Sequence, residues 1–133
     1  MIYVLDASAV IDLLVRSDDG ERIRRRLADD TDTTLITVAH LDAEVFSGLA
    51  RLHRAGELAA DEVEELLRRL ARLDVRRLPI GGALLDAAWR MRDSIAARDA
   101  LYVAAARDLD CGLLTTDQRL ARAVPDLATE LNC

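Results

Sequence analysis

Met1-Ile2-Tyr3-Val4-Leu5-Asp6-Ala7-Ser8 is the stretch whose reading decides the fold. Residues 1 to 5 form an unbroken apolar run that includes the strand formers Ile2, Tyr3 and Val4. A run this short, apolar at every position, predicts a strand covered on both faces inside a parallel sheet. The run ends at a carboxylate, Asp6. In open α/β sheets ligands bind just beyond the carboxyl ends of the strands. Asp6 is therefore expected where chemistry is done, and the rest of the chain is read by what else reaches that edge.

The chain has 133 residues, enough for one core, and is read as a single domain over 1–133. Hydrophobic residues make up 51% and charged residues 32%, which is ordinary for a globular protein. The aromatic residues are Tyr3, Phe46, Trp89 and Tyr102, so Leu, Val, Ile and Ala must build the core. No apolar run approaches the ~20 residues of a membrane helix. The N-terminus shows no basic region of a secretion signal, and the expected location is the cytoplasm. A net charge of −6 argues against coating nucleic acid by bulk electrostatics. It leaves room for a nuclease whose acidic site recruits cations. All 18 basic side chains are Arg. Cys111 and Cys133 share no metal-ligand spacing with each other or with His40 and His53. Cys111 reads as a small core residue and Cys133 as structurally idle.

Outward from the first strand, Ala9 to Val15 is apolar at helical spacing. Ser17-Asp18-Asp19-Gly20 reads as a turn and Glu21 to Asp30 as an exposed helix. Leu35 to Val38 is a second strand. Ala39 to Arg54 is a helix with Leu41, Val45, Leu49 and Leu52 along one stripe, ended by Gly56. Glu44 falls at the edge of that stripe. Asp61 with Glu64 reads as a capping box opening a helix to about Leu73, the second arm of a hairpin. Val75 to Ile80 is a strand candidate and Ala83 to Ser94 a further helix. Asp99 to Leu109 is Ala-rich, which permits close packing on the sheet. Leu113 to Thr115 is another buried strand, Gln118 to Val124 a helix, and Asp126 to Leu131 a possible edge strand. The alternation of strands and helices predicts a three-layer α/β/α domain with a mainly parallel central sheet.

Four carboxylates stand out: Asp6 at the end of the first strand, Glu44 on a helix, Asp99 at the start of the Ala-rich helix and Asp117 at the end of a late strand. Each has an innocent reading, as a helix N-cap for the three Asp residues or as a solvated rim residue for Glu44. Gathered together, such groups take up protons or bind cations. An all-oxygen set suits Mg²⁺ or Mn²⁺, and a pair of such ions is a common device for phosphodiester attack. Neither His lies in a nucleophile motif, and Gly81-Gly82 lacks the spacing and the Lys of a phosphate loop. Asp42, two residues from Glu44, points to another helix face and reads as surface.

These pieces resemble the PIN domain, and within it the VapC toxins of bacterial toxin–antitoxin pairs. The matching segments are Leu5-Asp6-Ala7-Ser8, Leu41-Asp42-Ala43-Glu44-Val45, Asp99-Ala100-Leu101-Tyr102-Val103-Ala104-Ala105-Ala106 and Leu114-Thr115-Thr116-Asp117-Gln118-Arg119-Leu120. Each motif is short; the four in order, across nearly the whole chain, are specific. The resemblance implies a Mg²⁺- or Mn²⁺-dependent endoribonuclease acting on tRNA or rRNA. Asp6, Glu44, Asp99 and Asp117 match its acidic quartet of catalytic and metal-binding residues. Asp6 and Asp99 would be the most direct ligands, while Ser8 and Thr115 would orient carboxylates. A homodimer and a small VapB-like antitoxin are the implied partners. Ala97-Arg98 departs from the small polar or aromatic residues often found before the third acid, which bears on substrate approach.

Arg98 and Arg119 are the basic residues nearest the proposed site in sequence, and the expected contacts of RNA phosphates. A phosphohydrolase using Asp6 as nucleophile would want a second Asp where Ser8 stands. A catalytically silent RNA-binding or regulatory protein of PIN-like fold is the alternative function. The Leu-rich hairpin 39–73 is expected to leave apolar surface for a partner.

Overall fold

The computed structural model describes residues 1–129 and 131. Its sheet contains β1 (Ile2–Leu5), β2 (Thr34–Val38), β3 (Arg76–Leu78) and β4 (Gly112–Leu114) in the order β3-β2-β1-β4. All pairings are parallel: Tyr3 faces Leu35 and Gly112, Leu5 faces Leu114, and Val38 faces Leu78. β1 lies inside the sheet, and Tyr3, Val4 and Leu5 are buried. Because the strands are parallel, they all end at one edge. Asp6, Ala39, Pro79 and Thr115 follow them there.

Helices cover the sheet in two groups. α1 (Ala7–Val15), α2 (Asp18–Ala28), α3 (Leu41–Arg54) and α4 (Ala60–Ala71) pack on one another. α6 (Ala97–Asp108) lies against β1, β2 and β4, with α5 (Gly82–Trp89) packed on α6. α7 (Gln118–Ala123) follows β4. Ala100, Ala104, Ala105 and Ala106 are buried, so the small side chains of α6 do allow the close approach their composition implies. The core joins Tyr3, Val4, Leu5, Val10, Val38, Leu41, Val45, Leu49, Tyr102, Val103, Leu113 and Leu114. The fold is the expected three-layer α/β/α arrangement.

Several local expectations shift. Ser17 to Gly20 is not a free turn. Ser17 is the N-cap of α2, its Oγ accepting Gly20 N–H at 3.0 Å, and Asp18 to Gly20 form the first helical turn. The three acidic residues Asp18, Asp19 and Glu21 in that turn suit the positive end of the helix dipole. The α4 box moves two residues: Glu62 Oε1 accepts the Ala59 N–H at 3.0 Å, and Asp61 sits inside the first turn. Alanine carries no side-chain acceptor, so only half of the reciprocal pair exists. β3 is shorter than expected, since Pro79 has no N–H to extend a ladder. α5 ends at Trp89, and tighter turns carry the chain through Ser94, closed by bonds such as Met91 N–H to Ala88 O at 3.0 Å.

The expected edge strand over 126–131 reduces, among the described residues, to one parallel bridge between Leu113 and Ala128. Residues 130, 132 and 133, Cys133 included, lie outside the described residues. Cys111 is only partly buried, at the rim of the core rather than in it. The hairpin leucines are largely absorbed: Leu41, Leu49, Leu66 and Leu70 are buried. The exposed large apolar groups are Phe46 on the α3 arm of that hairpin and Leu85 and Trp89 on α5, with Met1, Ile2 and Ile80.

Candidate active site

Asp6 is the last residue before α1 and its N-cap. Its backbone is extended (φ −91°, ψ 177°), and its Oδ1 accepts the Ala9 N–H at 2.9 Å. The capping role alone does not account for its surroundings. Asp6 is 2% exposed, Ser8 Oγ donates to Oδ1 at 2.7 Å, and Thr115 Oγ1 donates to Oδ2. The two hydroxyls are themselves oriented by the β4–α7 connection. Ser8 Oγ accepts Thr116 N–H at 3.0 Å, and Thr115 Oγ1 accepts Asp117 N–H at 3.1 Å. With an N–H directed at each hydroxyl oxygen, the hydroxyl hydrogens turn towards Asp6. Ser8 and Thr115 thus each donate to one oxygen of the Asp6 carboxylate.

Burial pushes the Asp6 carboxyl up to about 6; the Thr115, Ala9 and Ser8 hydrogen bonds pull the other way, and the charge of Asp99 adds to the rise. Asp99 is the third residue of α6, after the cap residue Ala96, so the N-cap reading fails for it. Its carboxyl is held above the usual range by burial first, then by the charges of Asp117 and Glu44, with Arg98 and His40 offsetting part. Asp117 is the N-cap of α7, where Oδ1 accepts Arg119 N–H at 2.9 Å and Leu120 N–H at 3.3 Å. Glu44 lies in the first turn of α3, its side chain 15% exposed. The parallel sheet thus carries Asp6 and Asp117 to one edge. The electrostatic influence of Glu44 and Asp117 on Asp99, and of Asp99 on Asp6, brings the quartet into one field.

Three groups converge on Glu44, and two of them, Tyr102 and His40, were not singled out by sequence reasoning. Tyr102 OH donates to Oε1 at 2.7 Å, His40 Nε2 lies 3.2 Å from the same oxygen, and Arg98 Nε lies 3.5 Å from Oε2. His40 Nε2 also faces the Arg98 carbonyl at 3.1 Å, and both of its neighbours are acceptors, so this nitrogen carries the proton. The His40 ring stacks on Tyr102 with centroids 4.4 Å apart. Its Nδ1 is buried without a partner among the described residues. Burial and then Glu44 push the Tyr102 hydroxyl well above its ordinary value, so it stays a donor. The signal available in the sequence was spacing: His40 precedes Glu44 by four and Tyr102 follows Asp99 by three, each one helical turn. A further carboxylate, Asp12, accepts Thr116 Oγ1 and, at 2.7 Å, Ser17 Oγ, tying the β4–α7 connection to α1 and α2.

Asp42, read as plain surface, is held in a two-pronged pair by Arg77 at 2.7 and 2.9 Å, which locks α3 to β3. Arg98 and Arg119 are both exposed. A cavity of about 600 Å³, lined by Arg22, Thr115, Thr116, Gln118 and Arg122, adjoins the site through its threonines. Another of about 650 Å³, around Met1, Arg26 and Cys111, holds none of the quartet; the chemistry, not cavity size, marks the site. The donor set, oxygen only and short of positive charge, fits a hard divalent cation. The cage is open: among the described residues no three Asp, Glu, His or Cys side chains stand close enough to hold an ion together.

The PIN domain model matches residues 3–124. The chain is 46% identical over 123 residues to Ribonuclease VapC3 of Mycobacterium tuberculosis, a match covering 92% of this chain and 87% of that protein. Among solved structures, VapC20 of Mycobacterium tuberculosis, a toxin that cleaves the sarcin–ricin loop, superposes with a TM-score of 0.68 at 17% identity over 92% of this chain and 95% of that one. VapBC2 of Rickettsia felis, solved bound to a DNA fragment from its promoter, gives 0.68 at 16% identity over 98% of each chain. The chain belongs to the PIN domain family, in the branch of the VapC ribonucleases.

Proposed function

We propose that this chain is a Mg²⁺- or Mn²⁺-dependent endoribonuclease and the toxin of a type II toxin–antitoxin pair. The observation that carries the reading is Asp6. A buried carboxylate with three oriented donors, raised by its own burial and further by the charge of Asp99, is costly to the fold. Such an arrangement is common where a site is built to hold a cation. Asp6 and Asp99 would hold it most directly, with Glu44 and Asp117 completing the set. When bound, the cation would supply the positive charge that acidifies a water and stabilises the leaving oxygen of a phosphodiester.

The chain's own residues do the rest. Ser8 and Thr115 fix the plane of the Asp6 carboxylate. Tyr102 and His40 hold Glu44 at the rim, where it can orient a water for attack in line with the leaving oxygen. Asp12 holds Thr116, and so the peptide that leads to Asp117. Arg98 and Arg119, both exposed, would meet phosphates flanking the scissile bond. RNA is proposed as the substrate because the VapC relatives are named ribonucleases, with tRNA or rRNA as the class. The partner is proposed as a VapB-like antitoxin, with a homodimer as the assembly and the cytoplasm as the compartment. The exposed Phe46, Leu85 and Trp89 supply apolar surface for such contacts, and among the described residues no helix is long and apolar enough to cross a membrane.

Total cellular RNA incubated with the purified chain tests this. Discrete fragments are expected with Mg²⁺ or Mn²⁺, and none with a chelator. Fragmentation that persists in chelator contradicts the metal, and intact RNA beside confirmed metal binding leaves a silent RNA-binding protein.

A further inference from the structure

Glu44 is committed to three partners that are not alike. Tyr102 OH and His40 Nε2 both reach Oε1, from side chains that are themselves packed: the Tyr102 residue is 1% exposed and the His40 ring is stacked on it. Arg98 reaches the other oxygen, Oε2, at 3.5 Å from a side chain that is 71% exposed. Tyr102 is built into the core and His40 is stacked on it, and the two hold the carboxylate in place. The third is a long, solvated side chain on the open side, free to leave at small cost. Arg98 also lies beside Asp99, whose charge it partly offsets. Arg98 therefore pairs with Glu44 and its charge also eases the neighbouring Asp99.

We propose that Arg98 is an exchangeable counterion of Glu44 that a divalent cation displaces, so that cation entry turns the guanidinium out towards an RNA phosphate. The inference rests on the metal reading given above. Two forces act in the same direction. A cation taking Oε2 competes for the oxygen that Arg98 faces, and its two positive charges repel the guanidinium paired with Glu44. The released fork is suited to a phosphate oxygen pair. Cation and RNA then bind with positive coupling through one side chain, and the coupling is reciprocal. Tyr102 and His40 are positioning residues in this scheme: they keep Oε1 fixed while the Oε2 partner changes. The departure noted in the sequence, Arg98 directly before Asp99, acquires a role in this way.

Calorimetric titration of Mn²⁺ into the full chain without RNA separates the possibilities. Arg98→Ala removes the competitor and is expected to bind Mn²⁺ roughly threefold more tightly, the factor for loss of an exposed ion pair. Arg98→Lys is expected to lie near wild type, and Arg25→Ala, an exposed arginine on α2, to match it. The side chain is solvated, so folding is not at stake, and the thermal midpoint checks this. As a second readout, the KM for RNA falls as Mn²⁺ is raised in the wild type and stays level in Arg98→Ala. Unchanged or weaker Mn²⁺ binding by Arg98→Ala overturns the inference, as does equal tightening by Arg25→Ala, which would reduce the effect to net charge. Wild type that takes up no Mn²⁺ overturns the metal reading itself, and this inference with it.

Discussion

Asp6 is the residue on which burial and charge conflict most openly. Its donors favour the ionised form, yet withdrawal from water dominates and lifts the carboxyl from 3.8 to about 6. A folded value above the unfolded one means that the proton favours the fold. The contribution is full below pH about 4 and is lost as pH rises through about 6, on the order of 3 kcal/mol in all. Urea midpoints in chelating buffer from pH 4 to 7 are expected to fall in the wild type relative to Asp6→Asn, which cannot titrate there. Parallel curves for the two proteins would contradict this. Added Mg²⁺ should lift the wild type near neutral pH by binding only the folded chain. At this scale the sequence was readable where a residue follows a strand or opens a helix: Asp6, Asp99 and Asp117 are placed by chain order alone. His40 stood one helical turn before Glu44, a local signal, whereas the contacts of Tyr102 and Asp12 were not readable: the Tyr102–Glu44 and Asp12–Thr116 bonds span 58 and 104 positions. No local pattern encodes which side chains a fold will bring into contact over such separations.

At the level of elements, hydrophobic periodicity located the strands and long helices, because the core-facing stripe is a property of each segment. It failed where a single contact decides. Gly20 illustrates the point. Read as a turn residue, it lies inside α2, where a Cβ would stand 2.1 Å from the Asp12 carbonyl oxygen and 2.6 Å from its carbon. Glycine is needed there for closeness of α1 to α2, not for turning. Gly20→Ala is expected to lower stability by at least ~1–3 kcal/mol despite the better helix propensity of Ala. Gly81→Ala, with nothing within 4 Å of the added carbon, is the control and should stay within ~0.5 kcal/mol. Equal urea midpoints for Gly20→Ala and wild type would show that the α1–α2 contact is looser than described. The α4 cap failed for a related reason: Asp61 and Glu64 have the right spacing, but Glu62 reaches back to Ala59 instead.

For the molecule as a whole, a net charge of −6 and a ribonuclease family are reconciled by distribution. Much of the basic surface is neutralised locally: Arg22 by Asp19, Arg68 and Arg69 by Glu65, Arg77 by Asp42, Arg107 by Asp126. Arg98 and Arg119 stay exposed near the acidic residues, and on the proposed reading attraction for RNA would be concentrated there and depend on cations. The apolar surface tells a similar story at this scale. Composition promised a surplus of leucine in the hairpin 39–73; packing absorbed most of it and left Phe46, Leu85 and Trp89 outside. Only the assembled fold shows which apolar groups remain for a partner.

The central claim is that position in this edge, not acidity, makes a carboxylate catalytic. Asp99 and Asp42 test it as a pair, since both sit in the first turn of a helix and only Asp99 belongs to the quartet. The measurement is the rate of RNA cleavage by Asp99→Asn beside Asp42→Asn at saturating Mg²⁺. Loss of an orienting group at a metal site commonly costs 10–100-fold, so loss of a ligand should cost at least ~100-fold. Asp99→Asn is expected to fall by that much, while Asp42→Asn, which loses only a pair to Arg77, stays within a few-fold of wild type. Equal rates for the two variants, whether both retained or both lost, would contradict the account.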